Sequence, residues 1–248
     1  MTSERVLAAS VWRARRAFEL DAAARFARLS HELEAHGAGA EVIALARQAA
    51  EDERRHARLC ADLVAHFGGQ VKDAAPCAAP PVSPAGLVGR ESLLYEVVAL
   101  ACVTETLSTA LLGALVERAT DALVRRTMHE ILRDEVQHSR LGWAHLAGEH
   151  ACGARDVVGA HLPAMLRATV REELFTEEGE HPQHEALSGL GALNRRDRID
   201  VFVATMTSVV FPGLERFGVD TSHGHRWLEA MVQGTFSRGV GALGGLER

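Results

Sequence analysis

The chain has 248 residues, of which 47% are hydrophobic, and it carries a net charge of -6 with a pI near 6.1. This length and apolar content suit one large domain or a domain with an extension, and the acidic balance excludes the basic surface that nucleic acid requires. The four cysteines include no Cys-x-x-Cys pair, which excludes a rubredoxin-type iron site and a zinc ribbon and predicts reduced, cytoplasmic thiols.

Helical periodicity dominates residues 1–150, which we interpret as one all-α domain. The pattern predicts four helices, and a segment at 68–89 between the second and the third holds four of the seven prolines, so it cannot be helical throughout. Two tight helical hairpins joined by one long crossover therefore form the predicted four-helix bundle. The predicted helices cover residues 10–35, 40–67, 90–118 and 121–149.

Residues 151–248 are predicted to form a C-terminal helical extension that packs on the bundle. The stretch 97–116 is long enough to cross a bilayer, but its single charge, Glu105, would be costly there, so a core helix of a soluble protein is predicted. The first residues also lack the layout of a secretory signal. The candidate helices of the extension lie at 155–177, 184–193, 195–217 and 222–236.

One phrase, Asp-Glu-x-x-His-x-Arg-Leu, occurs twice, at residues 52–59 and at 134–141. In a helix, Glu and His three positions apart share one face and can bind one metal ion. Glu53 with His56, and Glu135 with His138, each interrupt an otherwise apolar helix face. Because a carboxylate in a core is costly unless it is paired or metal-bound, the two copies predict two metal-binding turns.

The geometry of a helical hairpin points to further carboxylates, because facing residues lie about equally far from the turn. The residue as far before a turn near residue 36 as Glu53 lies after it is Glu19. The same count across a turn near residue 120 leads from Glu135 to Glu105. Asp21 is an alternative to Glu19, but it lies on a more polar face of the helix. Four carboxylates and two imidazoles form the inward-facing set of di-iron and di-manganese bundles. The predicted ligands are Glu19, Glu53, His56, Glu105, Glu135 and His138.

On these residues, about 10–150 of the chain resemble the ferritin-like di-iron carboxylate superfamily. The Asp-Glu-x-x-His version is similar to that of bacterial multicomponent monooxygenases and acyl-carrier-protein desaturases. The resemblance implies that Asp52 and Asp134 hold the ring N–H of the ligand histidine on the other helix, His138 and His56 respectively. Such a bond fixes the tautomer and raises the basicity of the imidazole.

Two further positions bear on the function that the resemblance implies. Thr109 lies four residues after Glu105, where bacterial monooxygenases keep a threonine connected with proton delivery, and it is the candidate catalytic residue. Cys60 lies four residues after His56, where ribonucleotide reductase carries its radical tyrosine, and this difference argues against a tyrosyl-radical function.

The resemblance implies two iron ions, or a manganese and iron pair, with dioxygen as co-substrate. The leading hypothesis is a non-haem di-iron oxidase or oxygenase that oxidises a small organic substrate with an external electron donor, such as a ferredoxin or reductase. The alternatives are a ferroxidase or rubrerythrin-like protein that handles iron or peroxide, and a non-catalytic metal-binding scaffold. A homodimer is one option for the assembly. The near absence of lysine is typical of a GC-rich bacterial genome.

Overall fold

The computed structural model describes residues 2–71, 79–149, 155–170, 174 and 187–241. Its first four helices are α1 (Ser3–Ala35), α2 (Ala40–His66), α3 (Gly89–Arg118) and α4 (Ala122–Glu149). They confirm the predicted all-α bundle, with boundaries within two residues of the predicted ones except at the start of α1. That helix begins at Ser3 and not near residue 10, because Ala8 and Ala9 are buried in the core that covers the end of α2.

The end of the crossover is fastened to the bundle by polar contacts. Arg28 on α1 donates to the carbonyl of Ala79 at 3.0 Å and also pairs with the buried carboxylate of Glu96 on α3. The second oxygen of Glu96 accepts the backbone N–H of Val82 at 3.2 Å. The crossover therefore meets α1 and α3 through one shared ion pair.

A π-helical segment, Val98–Glu105, interrupts α3 and ends at one of the predicted ligands. The Thr104 hydroxyl donates to the carbonyl of Ala99, five residues earlier, at 2.9 Å. Helix α4 approaches closely here, because a Cβ atom on Gly142 would lie 2.5 Å from Cys102 Sγ and 2.9 Å from its backbone nitrogen. The regular spacing assumed from the sequence did not predict this π segment, which is a feature common at functional sites.

The described residues after α4 form three more helices: α5 (Arg155–Thr169), α6 (residues 195–216, with a π segment at Met206–Val210) and α7 (Ser222–Gly241). Their apolar side chains pack against α3 in one continuous core. Buried members of this core from α3 are Leu94, Val98, Cys102 and Leu107, and those from the C-terminal helices are Leu162, Met165, Phe202, Phe211 and Leu228.

Two predicted helices of this region are corrected. The described part of the candidate at 184–193 holds only a 3₁₀ turn, Ser188–Leu190, because Gly191 follows in the left-handed region with φ of 109°. Helix α5 ends at Thr169, ahead of the predicted end at 177. Residues 171–173, 175–177 and 184–186 of these candidates, together with Cys77 and Cys152, lie outside the described residues.

Helix α3 is the described helix that is long and apolar enough to cross a membrane, and 56% of its most apolar window is buried inside the protein. Burial on this scale is expected for the core helix of a bundle covered by further helices. The described structure is thus consistent with a soluble protein.

Candidate metal centre

The structure brings all six predicted ligands together on the inner faces of α1 to α4. Each is at most 7% exposed. They form two groups of four residues, and within each group one ligand atom per residue lies within 4.8 Å of the others. The first group is Glu19, Glu53, His56 and Glu135, and the second is Glu53, Glu105, Glu135 and His138.

The first group surrounds the Nδ1 atom of His56. This nitrogen lies 3.3 Å from Glu53 Oε2, 3.8 Å from Glu135 Oε1 and 4.0 Å from Glu19 Oε2. One imidazole nitrogen and three carboxylate oxygens therefore face a common point. Iron and manganese both accept such a mixed set of ligands.

The second group surrounds the Nδ1 atom of His138 in the same way. This nitrogen lies 3.0 Å from Glu53 Oε1, 3.5 Å from Glu135 Oε2 and 3.9 Å from Glu105 Oε2. Glu53 and Glu135 thus direct one oxygen to each group, whereas Glu19 and Glu105 each serve one group. This arrangement suits two neighbouring cations bridged by two carboxylates.

Burial and mutual repulsion keep this cluster from carrying four free negative charges. Burial, followed by the nearby Glu53, raises the pKa of Glu19, and burial with the charge of Glu135 raises the pKa of Glu53. Burial and the adjacent Glu105 raise the pKa of Glu135 to about 8. Binding of two divalent cations would displace these protons, which is the usual coupling of metal binding to acidity.

Unpartnered atoms show that the residues fit metal ions. Glu53 Oε2, Glu135 Oε2 and the Nδ1 atoms of His56 and His138 are buried, and none of them makes a hydrogen bond of good geometry within the described structure. Buried polar atoms left unsatisfied cost about 1–3 kcal/mol each. Two cations would satisfy all four atoms at once, which no neighbouring protein group does.

The far sides of both imidazoles face the aspartates of the repeated phrase on the opposite helix. His56 Nε2 lies 3.1 Å from Asp134 Oδ2, to which its N–H donates, and His138 Nε2 lies 3.6 Å from Asp52 Oδ2. Burial alone would raise the pKa of Asp134, but the bonds from His56 and Arg55 outweigh it and lower that pKa. An aspartate behind each ring leaves Nδ1 free to bind a metal ion.

Sequence reasoning missed Arg55, which links the two aspartates. Its Nη2 lies 2.6 Å from Asp52 Oδ1 and 2.7 Å from Asp134 Oδ2. The sequence holds one indication of this role, because the second copy of the phrase has the uncharged Gln137 at the position of Arg55. A single arginine therefore serves both copies.

Sequence reasoning also missed Arg15, one turn before Glu19 on α1. Its Nε lies 3.3 Å from Glu19 Oε1. The rival ligand Asp21 lies outside both groups and forms an ion pair with Arg25 at 2.6 Å.

Thr109, the candidate catalytic residue, is half-buried one turn after Glu105. Its hydroxyl donates to the backbone carbonyl of Glu105 at 2.9 Å. The side chain is therefore near the second group without belonging to it, and its role in proton delivery stays a prediction.

A helical bundle with this inward set of four carboxylates and two histidines defines the ferritin-like di-iron class. Within that class, the family model described as Rubrerythrin matches residues 16–143, just over half of the chain, and the protein belongs to this family. The match includes all six predicted ligands and ends before the C-terminal helices. No curated protein matches the chain.

Proposed function

We propose that the protein is a di-iron oxidoreductase that reduces hydrogen peroxide with electrons from an external donor. One observation carries the proposal: Glu53 and Glu135 each direct one oxygen to the group around His56 and the other oxygen to the group around His138. Two ferrous ions held there would supply two electrons, one from each ion. Reduction of one H₂O₂ to two waters consumes two electrons and two protons, so the number of irons matches the chemistry.

The surroundings of the centre support a small oxidant. All six ligands are buried, and the side of α3 that faces the C-terminal helices is covered by packed apolar side chains. Membership of the rubrerythrin family is in keeping with iron or peroxide handling. The four cysteines of the sequence form no Cys-x-x-Cys pair, and we assign the supply of electrons to a separate donor protein or small reductant.

The protein residues hold and orient the centre. The two imidazoles would bind metal ions through Nδ1, because the other ring nitrogen of each faces an aspartate. His56 Nε2 donates to Asp134 at 3.1 Å, and His138 Nε2 lies 3.6 Å from Asp52. The raised pKa of Glu135, about 8, makes it a group that exchanges a proton as cations enter or leave the centre.

A second candidate is an oxidase or oxygenase that uses dioxygen on a small organic substrate. The crossed pairs of aspartate and histidine favour it, because the resemblance to monooxygenases and desaturases implied this arrangement. Thr109 would then take part in proton delivery. Both candidates share a cytoplasmic location, a bound pair of iron ions or a manganese and iron pair, and an external donor.

The test compares the two oxidants directly. Iron-loaded protein is reduced anaerobically, mixed in separate stopped-flow experiments with hydrogen peroxide or with dioxygen, and followed by absorption. We expect two irons per chain, faster oxidation by peroxide, and one peroxide consumed per two irons. Glu19→Ala should abolish the reaction, and Asp21→Ala, on the same helix but outside both groups, should not. Faster oxidation by dioxygen would favour the second candidate, and a protein without bound iron would overturn both.

A further inference from the structure

We propose that Arg15 makes the two metal positions unequal, so that the ion beside His56 is held more weakly than the ion beside His138. The inference rests on the proposed di-metal function and adds a positioning residue to it. Arg15 Nε contacts Glu19 Oε1 at 3.3 Å, while Glu19 Oε2 faces His56 Nδ1 at 4.0 Å. One oxygen of this ligand is thus already engaged by a cation.

The equivalent carboxylate of the other position lacks this contact. Glu105 faces His138 Nδ1 as Glu19 faces His56 Nδ1, but no arginine pairs with Glu105 among the residues that the structure describes. Arg55 does not create the difference, because its Nη2 contacts one aspartate behind each histidine at nearly equal distances. The unequal charge therefore comes from Arg15.

Trp12 keeps Arg15 in place. The guanidinium carbon of Arg15 lies 5.8 Å from the centre of the indole ring, within range of a cation–π contact. Trp12 is fully buried, and its Nε1 donates to the carbonyl of Leu190 at 2.9 Å. Any side chain on Gly191 would collide with the indole, since a Cβ there would lie 2.4 Å from Trp12 Cζ2.

This chain of contacts links the C-terminal region to the metal centre. Trp12, Arg15, Leu190 and Gly191 all lie outside residues 16–143, where the family model matches. The loop after the 3₁₀ turn holds the indole, the indole supports the guanidinium, and the guanidinium engages Glu19. The extension thereby acts on one metal position and not on the other.

The consequence is a measurable difference in affinity. A positive charge next to a ligand carboxylate repels a divalent cation and competes for the oxygen. The interaction is weakened by solvent, because the Arg15 side chain is 19% exposed. With this screening by solvent taken into account, loss of the Arg15 charge should tighten metal binding at the His56 position by about tenfold.

The experiment is anaerobic isothermal titration of the full-length, metal-depleted protein with Co²⁺, and the absorption of the bound cobalt is recorded in parallel. We expect the wild type to bind two ions with clearly different affinities. Arg15→Gln and Arg15→Met should each tighten the weaker ion about tenfold and leave the tighter ion within about twofold. Arg15→Lys, which keeps the charge, should resemble the wild type.

Arg25→Gln is the matched control, because Arg25 pairs with a carboxylate four residues away on the same helix but outside both groups. It should leave both affinities unchanged. Glu19→Gln should remove the weaker ion, and Glu105→Gln should remove the tighter one. Two equal ions in the wild type, or weaker binding in both neutral variants, would overturn the role of Arg15 alone. Fewer than two ions in the wild type would overturn the proposed function itself.

Discussion

Arg55 offers the sharpest test of how the centre is supported, because one guanidinium nitrogen serves two aspartates. Its Nη2 bonds to Asp52 at 2.6 Å and to Asp134 at 2.7 Å, and its Nη1 lies 3.3 Å from Glu130. Replacement by methionine keeps the length of the side chain and removes the charge. The two aspartates would then face each other across the hairpins without a cation between them.

The expected cost follows from these contacts. A hydrogen bond to a charged group contributes about 1.5–3 kcal/mol, and two such bonds to buried or nearly buried aspartates are lost. The Arg55 side chain is 31% exposed, so water recovers part of the loss. We therefore expect Arg55→Met to lower the free energy of unfolding by about 2–3 kcal/mol.

Urea unfolding of the purified protein, followed by circular dichroism, measures this cost, with metal content determined on the same samples. The neighbouring residue gives the control, because Arg54 pairs with the exposed Glu51 at the surface. Arg54→Met should change the free energy of unfolding by about 0.5 kcal/mol or less. Equal effects of the two substitutions would refute the view that Arg55 supports the aspartates.

The shared glutamates predict different metal counts: elemental analysis should find no ion in Glu53→Ala and one ion in Glu105→Ala, and an ion retained by Glu53→Ala would argue against bridging. Asp121 accepts the backbone N–H groups of the first turn of α4, so Asp121→Ala should cost about 1 kcal/mol in chemical unfolding at neutral pH. Although burial opposes the shift, the bond from His66 outweighs it and lowers the pKa of Asp121, so this difference should fade as pH falls through that lowered pKa. Gly142→Ala should cost about 1–3 kcal/mol by pushing α4 away from the π segment, and an unchanged thermal midpoint would contradict the close approach of these helices.

The clustering of the six candidate ligands could be predicted from the sequence because it depends on few physical facts. Helical spacing places Glu and His of each phrase on one face, and the reflection across a short turn needs only that paired helices run antiparallel. Neither step requires knowledge of side-chain conformations. For that reason the positions of Glu19 and Glu105 beside the repeated phrases could be predicted. Asp21 was separated from Glu19 only by the more polar character of its helix face.

The supporting arginines could not be predicted in this way. An arginine side chain is long and flexible, so its partner depends on the packing of helices that the sequence pattern leaves undefined. The π segment could not be predicted from the sequence for a related reason. A π segment changes the register of a helix by less than one residue per turn, and the uniformly apolar sequence of α3 offers no polar marker that would reveal the change.

The ligands of the repeated phrase and the residues around them together explain how two nearly identical phrases can form an asymmetric centre. The repeated Asp-Glu-x-x-His supplies matching halves, in which each histidine has one nitrogen among carboxylates and the other near an aspartate. Two differences between the halves come from residues outside the repeat: Arg15 beside Glu19, and the π segment that ends at Glu105. Two metal ions bound here would meet unequal surroundings, and Arg15, which we propose as the cause, lies outside the repeated phrase.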